Sequence, residues 1–444
     1  MRKTIKVTLS VVVGLVLCFS SSFFIDVDSF AAQNKSDVKN ADTSENNSSY
    51  KKNAQAATIT DDKKLEEPAQ KLLVNDPTRD RQILRLCWDI VPGAVKYEIF
   101  INGLTLVSFT NGIEIPVDDL NTKFQVNAVS LEGNTLQSKI PIAHMEGNPI
   151  SPRTTTEFNK MKYPPLYPVY SWIPTNGAHH YEVELLRNNI TVRRYITPPP
   201  VPGEDNFDFY DKNPVLEEGN YYWRVRGVTV DNQPLTQWSE PDSTNSFIVE
   251  RQIKFCALGD SITHGGGAIS VPPSTALYNW ETYCTMPIKN LGRSGDTTAE
   301  ILDRFDSDVL PFSPEVLFIM AGVNDYRSDI SAWETIENLA LIRNKCYANG
   351  IRPVFITPTP LNSDQIQKVG FVEAPPYDWQ ERQRIICEWI SKQDFFINVN
   401  DKLVDANGNL NMTISIDGLH PDADGKRVIG EAVDAWINSN INAQ

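Results

Sequence analysis

Between residues 80 and 249 apolar and polar positions alternate with a period of two, in runs such as Tyr97-Ile99-Ile101, FQVNAVS from Phe124, Tyr181-Val183-Leu185 and YYWRVRGVTV from Tyr221. Alternation of this kind predicts short strands with one buried face, and the Gly, Pro and Asn residues between the runs predict turns. A repeat is superimposed on the pattern. Trp88 opens WDIVPGAVKYEIFING and Trp172 opens WIPTNGAHHYEVELLRNN; in both, Gly-Ala follows five and six residues after the Trp, and Tyr-Glu nine and ten after it. Shared offsets imply one supersecondary unit used twice. The expectation is two β-sandwiches, over residues 80–147 and 160–249.

From Arg251 the period changes. IKFCAL, VLFIMA, PVFITP and FFINVN are compact apolar runs separated by stretches of helical period. Thr297-x-x-Glu300 and Ser331-x-x-Glu334 read as capping boxes, and Gly350 closes the helix begun after Ser331. Strand and helix in alternation predict a doubly wound α/β domain on a parallel sheet, over residues 251–440, with its chemistry at the carboxyl ends of the strands.

Charge and composition remove several function classes. The 444 residues are 41% hydrophobic and 22% charged with a formal net charge of −15, which disfavours a nucleic-acid partner, since a phosphate backbone asks for a basic face. MRKTIK followed by VTLSVVVGLVLCF has a positive start and an apolar core too short for a membrane span. Residues 1–32 are therefore expected to be a secretory signal, with no membrane insertion after cleavage and an extracellular product. Residues 33–79, rich in Asn, Ser, Asp and Lys, are expected to be a disordered linker. Five cysteines follow the leader, an odd number with no C-x-x-C pair, so free thiols are expected rather than a disulfide framework or a zinc site.

Four segments carry candidate chemistry. Ser261, in GDSIT, follows the strand IKFCAL at the sheet edge where such domains act, and Gly259 and Gly265 to Gly267 allow a tight turn there. Asp260 beside it is expected to hold the turn. Asp417 and His420, in DGLH, lie in one loop before the last helix; a serine nucleophile needs a base, and the base a carboxylate that fixes its tautomer. NLGRSG can aim the Gly292 backbone N–H into the cleft. AGVND can bring the Asn324 side-chain amide to the same rim, which would supply oxyanion donors. His264 has no carboxylate and histidine cluster around it that would make a metal site. The Pro-rich connection between Thr357 and Tyr377 is expected to shape the acyl pocket. No phosphate-binding glycine motif is present, and no metal or cofactor is expected.

In the order GDSIT, NLGRSG, GVND, DGLH, residues 251–440 resemble the SGNH hydrolases, also called GDSL esterases. The resemblance implies Ser261 as nucleophile, His420 as base and Asp417 as its orienting acid. It also implies an oxyanion hole made by the Ser261 and Gly292 backbone N–H groups and the Asn324 amide. The two sandwiches resemble fibronectin type III modules, most clearly over YYWRVRGVTVDNQPLTQWSE at residues 221–240. The expected function is a secreted serine esterase removing short acyl groups, acetyl above all, from an extracellular polysaccharide. The alternatives are a lipase or acyl esterase on lipid or small esters, and a surface carbohydrate-binding protein without turnover. A fragment starting near residue 250 is expected to keep activity on small esters, because the sandwiches carry none of the candidate residues.

Overall fold

The computed structural model describes residues 82–119, 121–144, 151–198, 207–267, 271–370 and 372–441. The expected leader and linker lie outside them. The repeat read from the sequence is a repeat in space. In the first copy, strands Gln82–Cys87, Gly112–Val117 and Ala143–His144 form one antiparallel sheet, and Lys96–Ile101, Leu104–Ser108, Phe124–Val129 and Thr135–Gln137 form another. The second copy has three strands (Arg153–Thr154, Val169–Ile173, Asp208–Tyr210) facing four (His180–Arg187, Ile190–Ile196, Gly219–Val228, Ser246–Val249). Its first sheet thus begins before residue 160.

The shared offsets have a physical cause. Trp88 packs on Tyr97 with ring centroids 5.2 Å apart, and Trp172 on Tyr181 at 4.9 Å. Each tyrosine hydroxyl then accepts the backbone N–H three residues after its tryptophan, from Val91 at 3.0 Å and from Thr175 at 2.6 Å. A bulky apolar pair is buried while the phenol oxygen keeps a partner.

The C-terminal domain is built on five parallel strands, Phe255–Gly259, Lys289–Asn290, Val316–Met320, Arg352–Ile356 and Phe396–Ile397. Numbered in chain order within the domain, they lie 2-1-3-4-5 across the sheet, so the order reverses between the first and third strands. Both faces are covered. Phe318 is paired with Val354 in register and so shares a face with it, while Phe355, the next residue, points the other way. Phe318 meets Trp436 of the helix Ala423–Asn440, and Phe355 meets Trp389 of the helix Trp379–Ile390. The helix starts follow the capping signals. Thr297 and Glu300 make both halves of a capping box, and Ser331 accepts from Glu334 N–H. The five cysteines among the described residues are free, two of them buried.

The sandwiches do not stand apart from this domain. Val95 and Leu131 of the first share a small core with Val369 and Ile416 of the α/β domain. Ala276 belongs to the core of the second sandwich, and Glu157 caps its backbone N–H at 2.8 Å. The segment leading into the strand Val169–Ile173 goes furthest. Leu166 and Tyr167 are buried in the core of the α/β domain, Leu166 N–H donates to Asn290 O at 2.8 Å, and Lys289 Nζ donates to Pro164 O at 2.7 Å. A fragment starting near residue 250 would therefore expose this core and leave the buried Lys289 short of an acceptor. The expectation that such a fragment is self-sufficient does not agree with the packing.

Candidate active site

Ser261 begins a four-residue helix, Ser261–His264, directly beyond the first strand of the α/β sheet. Asp260 is its cap and accepts Ile262 N–H at 3.0 Å. Burial pushes the Asp260 carboxyl up to about 7. Gly265 ends the helix at φ +109, where a side chain would also run into Asn279. From behind, Lys426 of the C-terminal helix donates to the Ile262 carbonyl; the site is buried, which lowers the lysine to about 8.

The loop before that last helix brings the other two candidates to the serine. Ser261 Oγ lies 3.0 Å from His420 Nε2, and His420 Nδ1 lies 2.8 Å from Asp417 Oδ2. An ionised carboxylate only accepts, so Nδ1 carries a proton, and in the neutral ring Nε2 is then the nitrogen that can receive the serine's hydrogen. Asp417 Oδ1 takes the backbone N–H groups of Leu419 and His420 at 2.8 and 2.7 Å. Burial would raise the acid's pKa, but the neighbouring imidazole and these hydrogen bonds outweigh it and hold Asp417 below the usual carboxylate value.

The connection expected to shape an acyl pocket contains a helix, Ser363–Val369, capped by Asn362. It braces the acid–base loop: Asn362 N–H donates to Gly418 O and Gln365 Nε2 donates to Ile416 O, both at 2.8 Å. Asn362-Ser363-Asp364 is a helix-start sequence set among prolines that mark an irregular connection.

The candidate oxyanion donors sit on either side of the serine. Gly292 packs so closely on the serine helix that a Cβ would overlap the His264 backbone. Its N–H, expected to point freely into the cleft, donates at 2.9 Å to Asn290 Oδ1, because the Asn290 side chain curls back over the turn while its amide nitrogen bonds the Thr263 carbonyl. Asn324 follows the third strand, across the reversal in strand order from Ser261, and is 3% exposed. Its Nδ2 gives one hydrogen to Asp296 O at 2.9 Å, and its Oδ1 accepts from Arg327 at 3.3 Å. One amide hydrogen remains.

Several residues that hold this arrangement were not anticipated from the sequence. Arg304, 6% exposed, donates to Asp296 Oδ2 (2.6 Å), Asp308 Oδ2 (3.0 Å), Leu291 O (2.7 Å) and Gly259 O (2.9 Å). It thereby ties together the ends of the first two strands and the segment that orients Asn324. His264 is buried and neutral, its pKa lowered to about 4 by desolvation. Its Nε2–H donates to Tyr167 O at 2.7 Å, and its Nδ1 accepts from Ser294 Oγ at 2.8 Å. Among the described residues no group of three His, Cys, Asp or Glu side chains is arranged to hold a metal ion.

Residues 257–428 match the GDSL-like Lipase/Acylhydrolase family. A curated relative, the "Uncharacterized lipoprotein YqeF" of Bacillus subtilis, is 34% identical over 82 residues, covering 17% of this chain and 34% of its own, so the chain spans about a third of that relative's length. Among solved structures, a lipase/acylhydrolase from Enterococcus faecalis is 23% identical over 42% of this chain and 96% of its own, with a TM-score of 0.35. An acetylxylan esterase from Geobacillus stearothermophilus is 16% identical over 43% and 95%, with a TM-score of 0.32. The match covers the C-terminal part of the chain, which is similar to GDSL-like lipases and acylhydrolases.

Proposed function

We propose that the protein is a secreted serine esterase that removes short acyl groups, acetyl above all, from an extracellular polysaccharide, with Ser261 as nucleophile. The observation that carries the reading is the hydrogen-bonded line from Ser261 Oγ through His420 to Asp417, at 3.0 and 2.8 Å. Ser261 Oγ attacks the ester carbonyl as its proton passes to His420 Nε2, and Asp417 stabilises the imidazolium. The carbonyl oxygen gains its charge at the N-terminus of the serine helix, where the Ser261 N–H has no partner inside the helix. The remaining Asn324 hydrogen is the second donor. Gly292 N–H is the third, exchanging the neutral Asn290 acceptor for an anion to which hydrogen bonds are roughly twice as strong. The alkoxide leaves with the proton from His420, and water then attacks the acyl-serine with His420 again as base.

The polymer is proposed on architecture. Two sandwiches, assigned in this reading to fibronectin type III-like modules, lie against the catalytic domain and extend the surface on which a long substrate can rest. The leader and linker read from the sequence belong to the same proposal of export. The test is a series of p-nitrophenyl acetate, butyrate and octanoate, with acetate release from acetylated polysaccharides run beside it. Activity falling with chain length together with acetate release is expected. Preference for octanoate with no acetate release would reject the polysaccharide reading in favour of a lipase.

A further inference from the structure

Tyr167 lies outside the residues that match the hydrolase family, yet it touches both halves of the apparatus around Ser261. Its hydroxyl donates to Asp308 Oδ2 at 2.6 Å, the same oxygen that Arg304 holds at 3.0 Å. Its ring is in reach of two guanidinium groups, 5.6 Å from that of Arg293 and 5.7 Å from that of Arg304. These two arginines share Asp296, through Oδ1 at 2.7 Å and Oδ2 at 2.6 Å, and the Asp296 carbonyl holds the Asn324 amide. On the other side the Tyr167 carbonyl accepts His264 Nε2–H, which leaves Nδ1 to accept from Ser294 Oγ and fixes the loop that carries Gly292. Tyr167 is 4% exposed, so its own hydrogen bonds to Asp308 and His264 are shielded from water and screened little.

From this geometry we infer that Tyr167 is a positioning residue for oxyanion binding, supplied to the catalytic domain by the segment that opens the second sandwich. The inference rests on the serine esterase reading. Tyr167 reaches Asn324 indirectly, through Asp296 and the residues that hold it, Asp308 with Arg304 and, from the ring, Arg293, so its loss shifts donors that act on the developing charge and leaves contacts with the bound ester in place. Such a residue changes kcat and spares KM.

The test uses the full chain and p-nitrophenyl acetate, with thermal unfolding of every variant. Tyr167→Phe removes one hydroxyl and keeps the ring. Asp308→Asn weakens the same link from its other end by removing the carboxylate's charge, and decides the matter if Tyr167→Phe does not fold. Both are expected to lower kcat by about tenfold, as a small misplacement of catalytic donors does, with KM within about twofold. Tyr163→Phe, on the same segment but bonded to Glu250, is the comparison and should retain wild-type kinetics. In an Asn324→Ala background the effect of Tyr167→Phe should shrink to less than about twofold, because both changes act through one donor. Unchanged kcat in folded Tyr167→Phe, or full additivity with Asn324→Ala, would overturn the inference. Failure of the parent reading looks different: wild-type hydrolysis would then be equal in Ser261→Ala.

Discussion

His420→Ala is expected to lower kcat for ester hydrolysis by roughly 10⁴-fold or more, because without a base Ser261 Oγ keeps its proton and its attack is that of an alcohol. Thermal unfolding should move little. The imidazole is partly exposed, and the buried Asp417 keeps two backbone N–H donors on Oδ1 when its Nδ1 partner is gone. Steady-state kinetics and calorimetry on the same preparation check both halves of the expectation. Activity within tenfold of wild type would remove His420 from the base's role, and a collapse of the fold would make the loop's contribution structural.

Asn324→Ala is expected to cost about 10²-fold to 10³-fold in kcat, the usual loss when one oxyanion donor is removed. Stability should fall as well, since the buried Asp296 carbonyl loses its 2.9 Å donor; a buried acceptor left unpaired costs about 1–3 kcal/mol. The two consequences are separable. The kinetic loss belongs to the hydrogen not given to Asp296, and it should appear in kcat with KM nearly unchanged. A change confined to KM would make Asn324 a substrate-binding residue instead.

What could be read from the chain follows the physics of each segment. Buried parallel strands are short apolar runs, and the residues just beyond their carboxyl ends are forced to one edge of the sheet. Strand ends therefore marked Ser261, Gly292 and Asn324 as candidates and a shared loop marked Asp417 and His420, but only the order of the four segments, which resembles the SGNH hydrolases, joined them into one site. The Trp-Gly-Ala-Tyr-Glu offsets were legible because a buried Trp-Tyr pair needs fixed spacing on its turn. Arg304 was not, because an arginine among acidic residues in TAEILDRFDSD looks like a solvated helix face, and only the fold shows Asp296, Asp308 and two strand-end carbonyls around it. Tyr167 was hidden for another reason. In YPPLYPVY the prolines mark an irregular approach to a strand, and nothing local says that this stretch docks along Lys289–Asn290 of a different domain. Long-range polar contacts have no sequence period, so they are recovered only once the sheet order is known.

Those contacts also change the meaning of the N-terminal half. As independent spacers the sandwiches would be dispensable to the chemistry. As packed here, the first sandwich supports the helix Ser363–Val369, which in turn holds the Asp417 loop, and the second lends the catalytic core Leu166 and Tyr167. Substitutions far from Ser261 along these two contacts are then expected to act on turnover as well as on stability.

The measurement that bears most directly on the account is the rate of p-nitrophenyl acetate hydrolysis by the purified chain beside its Ser261→Ala variant, with the fold of each verified by thermal unfolding. Loss of hydrolysis to the uncatalysed background in a folded Ser261→Ala variant is the expected result. Hydrolysis at the wild-type rate by that variant would contradict it and place the chemistry elsewhere in the protein.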